Sequence, residues 1–183
     1  MTSNKPIKVT HIITGLKTGG AERALYNLLA SDFSSKYECS VISLIDEGIY
    51  GSKIRALGIP VYPMNMRINL SIFRSLILLR SIVKRLAPNV LQGWMYHGNL
   101  AATVAKFFCN DKVSLAWNIR HSLYELKSEN FATRQIIKMN KLLSNRADAI
   151  FYNSKISLTQ HENFGFNSHS SILNPNGFDT NIL

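Results

Sequence analysis

The chain has 183 residues, 46% of them hydrophobic and 17% charged, a balance that fits one globular domain, or two small ones at most, and excludes general disorder, coiled coil and collagen-like classes. Twenty-one Lys and Arg against eleven Asp and Glu leave a net charge of +10, which favours anionic partners such as phosphates, nucleic acid or an acidic membrane surface. Two cysteines, Cys39 and Cys109, cannot build a disulfide framework, and no Cys or His pair has zinc-site spacing, so reduced thiols and no metal are expected.

A buried-strand run at residues 8–14 (KVTHIIT) opens the pattern and passes through a glycine-rich turn into a helix. On that helix Ala21, Ala24, Leu25, Leu28 and Leu29 recur at the spacing of one apolar stripe. Residues 38–45 read as a second strand, 52–57 as a short helix and 59–63 as a third strand; a long helix follows at 70–86 and ends before Pro88. A fourth strand at 90–95 and a helix at 99–108 come next, then a fifth strand at 113–119 and a helix at 133–143. The pattern closes with a sixth strand at 147–152, a helix at 154–164 stopped by Gly165, and a short last strand at 171–173. The first fifteen residues lack the charged and apolar regions of a signal peptide, and the apolar stretch 68–83 is broken by Arg74 and Arg80 and falls short of the roughly 20 residues a membrane span needs. Strands alternating with helices predict an α/β, Rossmann-like, doubly wound and mostly parallel sheet with helices on both faces. Ligands in such sheets bind beyond the carboxyl ends of the strands.

Those ends carry the candidate residues. Gly19 and Gly20, between the first strand and helix, would let backbone N–H groups approach an anion at a helix N-terminus. His97 follows the fourth strand and precedes the next predicted helix, where an imidazole can donate to a hydroxyl or phosphate or act as acid or base. Asn118, Arg120 and His121 crowd the end of the fifth strand, and the planar fork of Arg120 suits a phosphate or an acidic group. Asp46 and Glu47 close the second strand, where a dinucleotide fold places its ribose-binding acid, and so keep an NAD-binding oxidoreductase open. His11 reads as a core group within the first strand, and His161 and His169 are given no chemistry.

On the helix predicted at 70–86, Ile72, Leu76, Leu79, Ile82, Val83 and Leu86 form the apolar face, and Arg74, Leu78, Ser81 and Arg85 point away from it. Between these lie Phe73, Ile77, Arg80 and Lys84, a mixed flank that suits an anionic membrane surface. Residues 48–110 hold eight basic residues and no acidic one.

Three segments in order, Gly19-Gly20-Ala21-Glu22-Arg23, Tyr152-Asn153-Ser154 and Asn174-Pro175-Asn176-Gly177-Phe178-Asp179, resemble family 4 glycosyltransferases. The resemblance spans residues 8–179 and implies the N-terminal, acceptor-side half of a GT-B fold at residues 1–174. Residues 175–183 would begin the linker to a donor-binding domain absent from this chain. It further implies retaining transfer of a sugar from a nucleotide-diphosphate donor to a glycan or lipid-linked acceptor, in bacterial surface polysaccharide synthesis, without a metal or other cofactor. Under it, Gly19 and Gly20 lie near the donor diphosphate, and Asn118, Arg120 and His121 orient the acceptor. His97 matches a histidine frequent in the family, while whether Arg120 or His121 matches a second one stays open. The fragment alone is expected to be inactive, and the expected location is the cytoplasm, at the inner face of the membrane. The rivals are an NAD-binding domain, disfavoured by a broken glycine motif, and a basic anion-binding module without catalysis. Nucleic acid is not an expected partner, because the basic stretch lacks a stacking pattern or a binding motif.

Overall fold

The β-branched runs pair as parallel strands because they are apolar on both faces and joined by crossovers rather than hairpins. The computed structural model describes residues 5–66, 72–124 and 130–175. Its strands are β1 (Lys8–Ile13), β2 (Glu38–Ser43), β3 (Val61–Pro63), β4 (Val90–Trp94), β5 (Ser114–Ile119), β6 (Ala149–Tyr152) and β7 (Ser171–Leu173). They form one sheet in the order β3-β2-β1-β4-β5-β6-β7, with every pair parallel. This is the Rossmann-like arrangement expected of the sequence, and the direction in which successive strands are added reverses between β1 and β4.

Helices α1 (Gly20–Ala30), α2 (Phe33–Lys36) and α3 (Gly48–Ala56) lie against one face, and α4 (Ile72–Leu86), α5 (Met95–Lys106), α6 (Phe131–Leu143) and α7 (Lys155–Phe164) against the other. Alternation along each strand divides the core. Ile13, Val41, Val61 and Trp94 pack with Leu25, Leu29 and Ile54 on the first face. Ile12, Ile42, Leu91, Trp117 and Ile150 pack with Leu79, Ile82, Val83 and Ile137 on the second. The first cluster stops at Trp94 on β4; farther along that face Phe151 is half-buried and Ile172 exposed. A recess is therefore left between α1 and the β5–β7 half of the sheet.

Several boundaries differ from those the sequence predicts. α3 starts at Gly48, not residue 52, because Gly48 takes a left-handed φ of +51° against the Leu16 carbonyl, where a Cβ would overlap. Glu47 then pairs with Arg55 at 2.6 Å along the helix. The four-residue α2 has no apolar period to announce it. α4 buries Leu79, Ile82 and Val83 as expected, but Ile72 is 66% exposed, since the first turn of α4 extends past the sheet-facing core. The first residues of the helix predicted at 70–86, and positions 176–179 of the last motif, lie outside the described residues. α7 has the expected ends: the Ser154 hydroxyl accepts from the Ser157 amide at 3.1 Å, and Gly165 closes the helix at φ +106°.

α5 departs furthest. It starts at Met95, immediately after β4 and four residues before the predicted start, with Met95 itself at φ +61°. Two glycines permit this abrupt turn. A Cβ on Gly93 would overlap the Asn99 backbone, and one on Gly98 would overlap the Ile12 carbonyl, so the first turn of α5 lies directly on β4 and β1. The fully buried Asn99 fastens it, with its amide nitrogen 2.8 Å from the Gly93 carbonyl oxygen.

Candidate functional site

A cavity of about 670 Å³ fills the recess beside α1. Gly20, Arg23 and Asn27 line it from α1, Gln92 and Trp94 from β4, Asn118 and Arg120 from β5, Phe151 from β6 and Asn174 from beyond β7. It runs from the carboxyl rim of the sheet down the strand faces, and its volume is that of a small-molecule site.

The loop before α1 is held from β2 and α3. The Leu16 amide donates to the Asp46 carboxylate at 3.4 Å, the Tyr50 amide donates to the Leu16 carbonyl at 2.9 Å, and Lys17 lies 3.7 Å from Asp46. Asp46 and Glu47 are thus both engaged in binding their own loops, Glu47 through Arg55. At Gly19, the N-cap of α1, a Cβ would overlap the Glu22 carboxylate, whereas at Gly20 it would meet open space. α1 begins at Gly20, which lines the cavity, and the orphan N–H groups of a helix start attract negative charge.

The end of β5 parts its residues by strand alternation. Asn118 and Arg120 face the α1 side and line the cavity, while His121 turns to the other side. There its ring meets Tyr96 edge-on at 6.3 Å between centroids, and its carbonyl accepts from the Ser157 hydroxyl at 2.6 Å. Asn118 is 4% exposed, and among the described residues its Oδ1 finds no hydrogen-bond donor. Arg120 is half-buried, and loss of solvent lowers its pKa.

His97 lies within the first turn of α5, not ahead of it, beside the end of β1 because the next residue, Gly98, abuts Ile12 and Ile13. Burial lowers its pKa, which favours the neutral imidazole near pH 7. Of the residues singled out from the sequence, Gly20, Asn118 and Arg120 line the cavity, and Gly19, His97 and His121 do not. Asn27, Gln92, Trp94 and Phe151 were not singled out, and Arg23 and Asn174 entered only as members of the segments that carry the resemblance. A signal for three of them was legible: Gln92 is a polar residue inside an apolar strand, and Arg23 and Asn27 are one helical turn apart on the flank away from Leu25 and Leu29.

Two buried histidines support the surroundings. Trp94 Nε1 donates to His11 Nδ1 at 3.2 Å, directly beneath the cavity wall, and burial pushes His11 down to about 4. The Tyr96 hydroxyl donates to His161 Nε2 at 2.8 Å, His161 Nδ1 donates to the Ser157 carbonyl at 2.7 Å, and burial likewise pushes His161 down to about 4.

On α4, Phe73 and Ile77 are 73% and 69% exposed, and Arg80 and Lys84 are exposed on the same flank. Arg85 instead packs 5.2 Å from the Tyr62 ring centre. Among the described residues no helix is long and apolar enough to cross a membrane. Nor do three or more His, Cys, Asp or Glu side chains among them gather as metal ligands.

The family model of Glycosyltransferase Family 4 matches residues 18–182, from the glycine-rich start of α1 to the chain's last residues. The chain belongs to Glycosyltransferase Family 4. Among solved structures, this family 4 chain is similar to HepE of Anabaena in complex with UDP and glucose, at a TM-score of 0.76 and 21% identity over 96% of this chain and 46% of that one. It is also similar to the lipopolysaccharide outer core galactosyltransferase WaaB in its apo form, at 0.67 and 16% over 95% and 47%. A UDP-N-acetylglucosamine 2-epimerase is similar at 0.63 and 13% over 91% and 48%. The family 4 chain thus spans less than half the length of these proteins. A galactosyltransferase and an epimerase share the fold, so the family match, not the fold, selects the glycosyltransferase reading. No curated protein sequence matches the chain significantly.

Proposed function

We propose that the chain is the acceptor-side half of a retaining hexosyltransferase. It would help move a sugar from a nucleotide-diphosphate donor to a glycan or lipid-linked acceptor in the assembly of a bacterial surface polysaccharide. The observation that carries this is the family match over residues 18–182 together with a cavity at the strand ends lined by Gly20, at the start of α1, and Arg120. In this reading the N–H groups at Gly19 and Gly20 face the donor diphosphate and stabilise the charge that grows on it as the glycosidic bond breaks. N–H dipoles and guanidinium groups meet that charge, and no metal is assigned. Neutral His97 offers a hydrogen bond to a sugar hydroxyl at the same edge, and Asn118 and Arg120 orient the acceptor. His121, tied to Tyr96 and Ser157, acts by fixing the loop that carries Arg120.

A second half, of a length comparable to what the relatives have beyond this chain, would hold the nucleotide, so residues 1–183 alone should not turn over. The exposed Phe73, Ile77, Arg80 and Lys84 flank supports contact with an anionic bilayer on the cytoplasmic face, where a lipid-linked acceptor would be presented. The test is nucleoside diphosphate release by a longer protein containing this chain, given UDP-sugars and lipid-pyrophosphate sugar acceptors. The expected result is acceptor-dependent release and a product with the donor's anomeric configuration, with the 183-residue chain silent. Acceptor-independent epimerisation of the nucleotide sugar, or inversion at the anomeric carbon, would refute the proposal.

A further inference from the structure

We infer that the domain lies flat on an anionic bilayer, seated on α4 and α6 together, so that the carboxyl rim of the sheet opens sideways along the membrane surface. That the bilayer presents an acceptor there rests on the function proposed above; the seating rests on the protein surface alone. The flank of α4 gives a single line of contact, about which the domain could roll. A second line fixes a plane, and α6 supplies it.

α6 packs on the sheet through Ile137 and Asn140, both fully buried. At about 100° per residue, the opposite side of that helix carries Phe131, Lys138, Met139 and Leu142. Such a side is ordinarily polar, yet Phe131, Met139 and Leu142 are 69%, 45% and 76% exposed, with Lys138 exposed among them. α4 is built the same way: Phe73, Ile77, Arg80 and Lys84 lie opposite the buried Leu79, Ile82 and Val83. Because both helices pack on the same face of the sheet, both arcs point away from it in one direction. α5 touches both helices and is sunk between them, with no exposed residue of its own, since Gly98 lets it approach β1 closely. α4 and α6 are therefore the outer ridges of the layer, roughly 20 Å apart at about 8–10 Å for each helix step.

Charge selects what covers them. α4, α5 and α6 hold eight Lys or Arg and no Asp or Glu, whereas the other face carries Glu22 on α1 and Glu47 at the N-cap of α3. Among the described residues no carboxylate pairs with Arg80, Lys84 or Lys138. Both helices lead into strands, β4 and β6, so their last turns stand at the same edge of the sheet, the amino ends of its strands. Glu125 and Glu129, which precede α6 in the sequence, lie outside the described residues, and the seat is carried by Lys138, Met139 and Leu142 in the last two turns of α6. Apolar side chains interspersed with unpaired cations suit the boundary between anionic headgroups and acyl chains, where a lysine stem is buried and its ammonium group meets phosphate.

The experiment places the 183-residue chain on phosphatidylcholine vesicles with and without about one third phosphatidylglycerol. An introduced tryptophan reports depth, because the native Trp94 and Trp117 are 1% and 0% exposed. With brominated phosphatidylcholine in the anionic vesicles, the emission of both Ile77→Trp and Leu142→Trp should shift to the blue and be quenched. That of Ile49→Trp, on α3 at the opposite face and 58% exposed, should not. Lys138→Glu and Leu142→Ser, both at exposed positions and with α4 intact, should each weaken sedimentation with anionic vesicles about tenfold and leave circular dichroism unchanged. Quenching of Ile77→Trp without Leu142→Trp would reduce the contact to one helix and overturn the inference, as would quenching of Ile49→Trp or no sedimentation with anionic vesicles. A blue shift of Leu142→Trp without vesicles, accompanied by dimerisation, would give the face to a second copy of the chain and also overturn it. Seating without transfer by the longer protein would support the inference and overturn only the transferase reading; transfer without seating would overturn only the inference.

Discussion

His11 and His161 should make the fold acid-sensitive well above the pH at which carboxylates titrate. Both are fully buried and held neutral, with pKa values pushed from 6.5 to about 4. Between those values the unfolded chain takes up protons that the folded chain refuses, so stability is complete above about pH 7, falls as pH drops through 6.5, and levels off below about 4. At 1.36 kcal/mol per pKa unit, each histidine removes about 2 kcal/mol by pH 5 and about 3 kcal/mol at the plateau. Together that is roughly 4 kcal/mol at pH 5, against a total of about 5–15 kcal/mol for an ordinary domain. Around His161 the surroundings are Tyr96, Tyr152, Phe166 and the nearby His121, whose charge lowers the His161 pKa further. Around His11 they are Trp94, Phe33 and Gln92, the last offsetting part of the desolvation. Urea unfolding at pH 8, 6.5 and 5, followed by tryptophan fluorescence, measures the slope, and Trp94 reports on His11 through its own hydrogen bond. Each His→Gln variant should start less stable at pH 8 and lose about half of the dependence between pH 8 and 5. An unchanged slope in both variants would refute the assignment to these two rings.

Gly98→Ala places a Cβ against the Ile12 carbonyl and should lower stability by about 2–3 kcal/mol, read as a lower urea midpoint; an unmoved midpoint would show that α5 can lift off β1 at no cost. Ser154→Ala removes the acceptor for the Ser157 amide and should cost about 1 kcal/mol in the same assay. About three cations of α4 near an anionic bilayer, at roughly 1 kcal/mol each, should raise vesicle binding about a hundredfold. Arg80→Glu with Lys84→Glu should abolish that sedimentation, as should high salt; undiminished binding by the double variant would leave α4 an ordinary solvated helix.

All seven strands were legible as short apolar runs, because the sheet is covered on both faces, and most of the helices by their 3.6-residue period, as in α1, α4 and α6. What escaped depended on distant contacts. The start of α3 is set by Gly48 against Leu16, far back in the chain, and that of α5 by Gly98 against β1; neither leaves a local pattern beyond the glycine itself. Ile72 was placed in the core by the same period that placed Leu79, Ile82 and Val83 correctly, since periodicity fixes a helix face but not how far the sheet extends beneath it.

The site divides in the same way. Gly20, Asn118 and Arg120 were recoverable because strand ends and a helix start are where a parallel sheet offers ligands its amides and last side chains. The full lining, with Trp94 and Phe151, was not, because membership depends on the recess between α1 and the uncovered β5–β7 half of the sheet, a property of strand order. Which of Arg120 and His121 faces the cavity had a local answer all the same. Alternation continues past Ile119, so consecutive residues must face opposite sides: Asn118 and Arg120 look toward α1, and His121 toward Tyr96 and α7. Substituting His121 therefore perturbs the α7 contact and the loop's seat, whereas substituting Arg120 removes charge from the cavity. An acidic ligand should feel the second change directly and the first only through the position of Arg120.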